Sequence, residues 1–185
     1  MLTRIGKYEI RSEIGKGGFG RVYLAHDPSV DRLVAIKILT SQADPAVLGQ
    51  FRAEAKTTGN LRHKNIVTVY DFGEHEGVPF LVMELLEGRN LQEVLEEGEA
   101  MSLMVKLHVL SQTAEGLHHA HRMGVVHRDV KPANIMLLAG GAVKIMDFGI
   151  ANLVNLSPAD RTRSQELTGT TRYMAPEQFS GAPAD

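Results

Sequence analysis

The chain contains no cysteine. That excludes a disulfide framework and a zinc–thiolate site. No apolar run approaches the roughly 20 residues needed to span a bilayer. The N-terminus, MLTRIGKYEI, lacks the apolar core of a secretory signal. Neither sign of charge is in excess: 20 Lys and Arg stand against 22 Asp and Glu, a net charge of -2. There is therefore no electrostatic case for nucleic acid or for an anionic membrane surface. Linkers, internal repeats and low-complexity tracts are also missing. What is there is a chain of 185 residues with 43% hydrophobic content, ordinary for a globular protein. The length suits one domain or slightly more. A complete domain of this length buries roughly 70% of its unfolded surface. A cytoplasmic location without membrane contact is the expectation.

The stretch Val125 to Ala151, VVHRDVKPANIMLLAGGAVKIMDFGIA, concentrates the chemistry. Two short apolar runs, Ile135 to Leu138 and Val143 to Met146, flank Gly140-Gly141, which supports a tight turn. Asp129, Lys131, Asn134 and Asp147 then lie at the ends of a small hairpin, facing one point. Two carboxylates and an amide can hold a hard cation such as Mg²⁺ through oxygen. The ammonium can neutralise a phosphate. A plain hairpin with solvated polar ends is the competing reading.

This stretch resembles the catalytic and metal-binding loops of protein kinases. HRDVKPAN matches H-R-D-x-K-x-x-N, and Asp147-Phe148-Gly149 matches D-F-G. Further motifs follow in the family's order. Gly15, Gly17 and Gly20 give G-x-G-x-x-G, a weak signal alone because dinucleotide-binding folds share it. There the third glycine opens a helix, whereas here the strand-forming RVYLAH follows. The kinase version is a strand–turn–strand lid over ATP phosphates. Phe19 at its tip suits packing as well as function.

Leu33 to Leu39, LVAIKIL, reads as a strand with Leu33, Ala35, Lys37 and Leu39 on one face. A lysine there is costly to bury unless it meets an anion; an edge-strand lysine with a solvated tip is the alternative. Asp44-Pro45 is a good helix start. Phe51, Glu54, Thr58 and Leu61 recur at helical spacing. The resemblance assigns Lys37 to the α/β-phosphates and pairs it with Glu54. Thr58 falls where the family more often has a bulky apolar residue, which implies a loosely docked helix.

Ile66 to Tyr70 and Phe80 to Glu84 read as strands joined through GEHEG. The resemblance makes Met83 the residue gating the nucleotide pocket and Glu84 to Leu86 the hinge. It adds Ile14, Gly15, Lys16, Gly17, Gly18, Phe19, Gly20, Val22, Ala35 and Met136 around the nucleotide. Asn90 and Glu93 form a capping box, and Gly98 closes that short helix. Ser102 caps a longer one, in which Leu103, Leu107, Leu110, Ala114 and Leu117 make an apolar stripe. Gly124 ends it. Its His118, His119 and His121 suit a solvated or packing role better than a metal site, since no carboxylate sits beside them.

The segment after Ala151 is polar and reads as the activation segment, closed by Ala175-Pro176-Glu177. With Gln178 it is similar to bacterial members of the Ser/Thr class. Arg128 beside Asp129 implies control by phosphorylation, with Thr162, Ser164 and Thr168 as candidate sites. Thr170 is the structural hydroxyl expected on Asp129 and Lys131.

The resemblance implies an α+β, two-lobe fold: a β-rich N-lobe with hinge over residues 1–86, and an incomplete helical C-lobe over 87–185. It implies ATP-dependent phosphorylation of protein Ser or Thr hydroxyls. Asp129 would accept the hydroxyl proton and Lys131 would balance charge at the γ-phosphate. Asn134 and Asp147 would hold Mg²⁺, with Mn²⁺ as a substitute. The chain stops at Asp185, before several C-lobe helices of the family. A weakly active or inactive fragment with a loose lower lobe is therefore an alternative, and a nucleotide-binding scaffold is another. Every catalytic position is intact, which disfavours the scaffold.

Overall fold

Strand formers punctuated by glycine turns build a sheet from the first part of the chain. The computed structural model describes residues 2–17, 20–39, 55, 58–148, 170–173 and 175. Strands β1 (Arg4–Ile5), β2 (Tyr8–Gly17), β3 (Gly20–Asp27), β4 (Arg32–Leu39), β5 (Val69–His75) and β6 (Val78–Glu84) form one six-stranded sheet in the order β1-β2-β3-β4-β6-β5. All neighbours are antiparallel. One face carries the core: Val34 and Ile36 of β4 pack with Ile5, Tyr8, Ala25, Phe80 and Val82. Gly73 makes room for this core, because a Cβ there would lie 2.5 Å from the Phe80 ring. The β5–β6 connection is tighter than the expected GEHEG loop. Strand pairing continues to His75↔Val78, and the turn is Glu76-Gly77 at φ 51° and 76°. Both φ values suit a two-residue hairpin turn of the primed type.

The described residues fall into two compact units. The first draws on Met1–Asn60 and Thr68–Leu85, the second on Leu61–Val67, Leu86–Asn152 and Gly169–Asp185. Ala55 and Thr58, both helical, are buried in the first unit. The second unit holds a three-stranded sheet, β7 (Gly88–Asn90), β8 (Ile135–Leu138) and β9 (Val143–Ile145), in the order β7-β8-β9. It also holds helices α1 (Leu91–Glu96) and α2 (Leu103–Arg122). The capping box at Asn90 and Glu93 is formed, and Ser102 Oγ accepts the Val105 N–H at 3.3 Å. Gly124, at φ 76°, follows the end of α2.

Helix α2 divides the apolar stripe. Leu103 and Leu110 are 70% and 64% exposed, whereas Leu117 packs against the cluster that holds Ile145. The buried face is Val109, Thr113, Gly116 and Ala120. The reason is proximity. A Cβ on Gly116 would lie 2.8 Å from Ile145 Cδ1 and 3.1 Å from the Asn65 carbonyl oxygen. A leucine face cannot approach a strand that closely, so small residues take the contact. Ile66 likewise starts no strand of the first sheet. It forms a parallel bridge to Ile145 in the second unit, and β5 begins at Val69.

Candidate active site

In the first unit the site residues are placed by strand register. Lys37 pairs with Val22 of β3 and with Leu81 of β6. Ala35, on the same face by strand alternation, pairs with Leu24 and Met83. Val34 and Ile36 turn the other way, into the core. Lys37 is only 5% exposed, so the ammonium group enters a face that shuns unpaired charge. Leu33, at the end of that row, is exposed. Two register shifts in β2, between Ile10 and Ser12 and between Glu13 and Gly15, bend the strand that carries Ile14, Gly15, Lys16 and Gly17. Gly17 pairs with Gly20, whose φ of 144° favours glycine. Gly15 differs: a Cβ there would meet Val22 Cβ at an ordinary 3.7 Å. Among the described residues no contact forbids a side chain at Gly15, and its absence leaves space beside Val22. Gly18, Phe19 and Glu54 lie outside the described residues.

Glu84, at the end of β6, does more than the sequence indicated. Its carboxylate accepts the Thr68 N–H at 2.6 Å, and its own N–H donates to the Thr68 carbonyl at 2.9 Å. This ties the end of β6 to the residue just before β5. Nothing local in the sequence signals this side-chain bond, because the donor, the Thr68 N–H, is 16 positions away.

In the second unit, side chains do the placing. Lys131-Pro132 opens a short 3₁₀ turn, Pro132–Asn134, which leads into β8. Asn134 Nδ2 donates both to the Asp129 carbonyl at 2.8 Å and to Asp129 Oδ2 at 3.0 Å. Lys131 Nζ reaches the same Oδ2 at 2.8 Å. Asp129 and Asn134 are buried. The predicted convergence of Asp129, Lys131 and Asn134 is therefore observed. Asp147 joins them through the backbone: the N–H of Met146 donates to the Asn134 carbonyl at 2.9 Å, so Asn134 enters the hairpin where Asp147 leaves it. The hairpin register, Ile135↔Ile145 through Leu137↔Val143, closes over glycines at φ 79° and 83°.

His127 locks the two loops together. Its ring is 1% exposed. Nε2 lies 2.9 Å from the Met146 carbonyl, and Nδ1 lies 3.2 Å from the Asp129 N–H. One nitrogen must donate and the other accept, so these partners fix the neutral tautomer with its proton on Nε2. Burial pushes the imidazole below its ordinary pKa, against the opposing pull of the Met146 carbonyl, Asp129 and Asp147. The ring also packs on Phe148, 4.6 Å between centroids. Arg128 and Asp147 hold φ of 63° and 58°. Such left-handed conformations cost non-glycine residues on the order of 1–3 kcal/mol and cluster at functional sites.

Two residues were missed by sequence reasoning. Asn65 Nδ2 donates to Gln112 Oε1 at 2.8 Å and to the Val143 carbonyl at 2.9 Å. Gln112 accepts the Val143 N–H at 3.1 Å and donates to the Gly141 carbonyl at 2.8 Å. No local sequence signature marks either. Of the helix histidines, His119 packs, stacking on His63 at 4.9 Å, while His118 and His121 are exposed. Among the described residues, no three His, Asp or Glu side chains cluster as a metal site. The Asn134 amide oxygen and the Asp147 carboxylate are the oxygen groups here that could serve a hard cation, with ligands from elsewhere completing the set.

Residues 8–185 match the family model for the protein kinase domain. The chain belongs to that family. The kinase domain is 43% identical over 185 residues to a probable serine/threonine-protein kinase, PknB, of Corynebacterium glutamicum, covering 97% of this chain and 29% of that protein. It is 44% identical over 190 residues to serine/threonine-protein kinase PknA of Mycobacterium tuberculosis, covering 99% and 44%. A crystal structure of the M. tuberculosis PknI kinase domain superposes with a TM-score of 0.77 at 27% identity, covering 100% of this chain and 69% of that one. The chain thus spans less than half the length of these curated relatives. The α+β kinase fold, a β-rich N-lobe with a partial helical C-lobe, follows from these matches and from the two sheets. No described helix is long and apolar enough to cross a membrane.

Proposed function

We propose that this chain transfers phosphate from MgATP to Ser or Thr hydroxyls of proteins. The observation that carries the reading is the Asp129–Lys131–Asn134 cluster, tied by His127 and Met146 to Asp147. Both donors to the Asp129 carboxylate fall on Oδ2, which leaves Oδ1 to accept a substrate hydroxyl proton. Lys131, while paired with Asp129, can also balance γ-phosphate charge. Asn134 spends Nδ2 on Asp129, so its Oδ1 faces the task of ligand. Asn134 and Asp147 would hold Mg²⁺, which supplies charge neutralisation of the phosphates. Lys37, with Glu54 as its proposed partner, would position the α/β-phosphates. The space left by Gly15 beside Val22 suits close approach of a nucleotide, with Ala35, Met83 and Met136 as apolar contacts and residues 84–86 as the hinge. Positioning and charge stabilisation then account for catalysis.

Lys131 and Thr170 favour Ser/Thr over Tyr substrates. The chain closes a short 3₁₀ turn at Thr170–Tyr173; Thr162, Ser164 and Thr168, the proposed phosphorylation sites answering to Arg128, lie outside the described residues. We assign the activity to the cytoplasm, with protein substrates and no nucleic acid. The test is phosphate transfer from labelled ATP to a Ser/Thr-containing protein by the purified chain, beside its thermal stability with and without MgATP. Transfer that disappears in Asp129→Asn supports the reading. Stabilisation by MgATP with no transfer would replace it with a nucleotide-binding scaffold.

A further inference from the structure

Strand β9 ends two residues before Asp147, and it is held on both edges. On one side it pairs with β8. On the other, the Ile145 N–H donates to the Asn65 carbonyl and the Ile145 carbonyl accepts the Val67 N–H, each at 2.9 Å. Across its start lie Asn65 and Gln112. Their amides engage both main-chain groups of Val143 and the carbonyl of Gly141 in the turn. Gln112 therefore measures the turn from Gly141 to Val143, and Asn65 measures the same strand from the far edge. A slip of β9 by one residue would break all of these bonds and reverse every side chain.

Asn65 is 1% exposed, and its Oδ1 has no hydrogen-bond partner among the described residues. A buried acceptor left unpaired is unfavourable. An apolar residue would avoid that penalty but would supply no donors to Val143 and Gln112. The contribution of this amide is thus positional. Its two bonds from Nδ2 both meet acceptors, so a carboxylate could not replace it. Gly116 completes the arrangement by letting α2, the helix that carries Gln112, approach Asn65 and Ile145.

We propose that Asn65 and Gln112 are positioning residues that fix the register of β9, and through it the Asp147 carboxylate beside Asn134, so that they set the affinity for the divalent cation and not that for nucleotide. This rests on the MgATP reading above. The test uses the full 185-residue chain and two titrations followed by thermal stability: Mg²⁺ at saturating ATP, and ATP in excess EDTA. Gln112→Met and Asn65→Asp should each raise the half-saturating Mg²⁺ concentration by about tenfold, the lower end of effects seen for groups supporting metal ligands. The metal-free ATP midpoint should stay within about twofold, which a merely structural loss would not allow. Gln112→Glu keeps the acceptor for Asn65 and Val143 and loses only the Gly141 bond. Its Mg²⁺ shift should be about threefold, and it carries the test if the other two do not melt cooperatively. Equal shifts in both titrations, or no Mg²⁺ shift in any variant, would overturn the proposal. A wild-type chain that ignores MgATP would instead remove the kinase reading and this one with it.

Discussion

The two units place their functional groups by different means. In the six-stranded sheet, Lys37 stands where main-chain pairing with β3 and β6 puts it. In the second unit, Asp129 and Asp147 sit in loops with no ladder of their own. Side chains hold them: His127, Asn134, Lys131, and at one remove Asn65 and Gln112. The lesson is about independence. A group on the sheet owes its place to main-chain pairing. A group in the loops is also part of what holds the others.

The sharpest test of that contrast pairs Lys37→Met with Asp129→Asn. Both should cut phosphate transfer by about 10²–10⁴-fold. They should differ in urea denaturation. The Lys37 variant should lose less of its midpoint than Asp129→Asn, in which Asn134 and Lys131 lose their shared carboxylate. Matching midpoints would erase the distinction.

Next in size is His127→Ala. It orphans the Met146 carbonyl and the Asp129 N–H, at about 1–3 kcal/mol for each buried group, and it uncovers one side of Phe148. The loss should appear both in chemical denaturation and in transfer, since the ring joins the loops that carry Asp129 and Asp147. A variant that loses activity alone would show that the loops hold themselves. Gly116→Ala should cost about 1–3 kcal/mol by overpacking, because the Ile145 side chain can yield but the Asn65 main chain cannot.

The smallest effect is in pH. Burial holds His127 below its ordinary value of 6.5. His63 is depressed as well, by burial first and then by His119 and Lys64. In the unfolded chain both take up a proton below about 6.5, while in the folded chain they resist it. Stability is therefore full above that pH and is lost as pH falls toward the depressed native values, by at most about 1.4 kcal/mol per pH unit for each proton. His127→Gln should flatten its share of the slope in a series of urea melts. An unchanged slope would mean that this imidazole is not titrating there.

Much of this architecture was legible because its signals are local. The glycines at Gly140 and Gly141 mark the hairpin, Asn90 and Glu93 mark a helix start, and HRDVKPAN holds three interacting polar residues within six positions. What escaped depends on distance along the chain or on closeness in space. Asn65 meets Gln112 across 47 positions, and nothing near either residue announces it. Glu84 looked like a hinge residue used through its main chain, yet its carboxylate holds Thr68. Helix α2 carries two faces, and the leucine stripe drew the eye because hydrophobicity rewards size. The face that packs was chosen for smallness at Thr113, Gly116 and Ala120. Roles resting on Glu54, Gly18, Phe19 and the residues between Gly149 and Gly169 fall outside the described residues.

The contact between Asn65 and β9 also sets a timetable. Asn65 and Val143 are 78 positions apart. At translation rates of about 5–20 residues per second, Asn65 leaves the ribosome roughly 4–16 s before Val143 does. During that interval all six strands of the first sheet have been made, and they can pair at once. Leu61 and Ile66 have to wait for Ala120, Val125 and Ile145, and the Asn65 amide for Gln112 and Val143. The unit that holds Asp129 and Asp147 is therefore the later one to assemble during synthesis. In that window Leu61–Val67 has left the ribosome without the residues that bury Leu61 and Ile66.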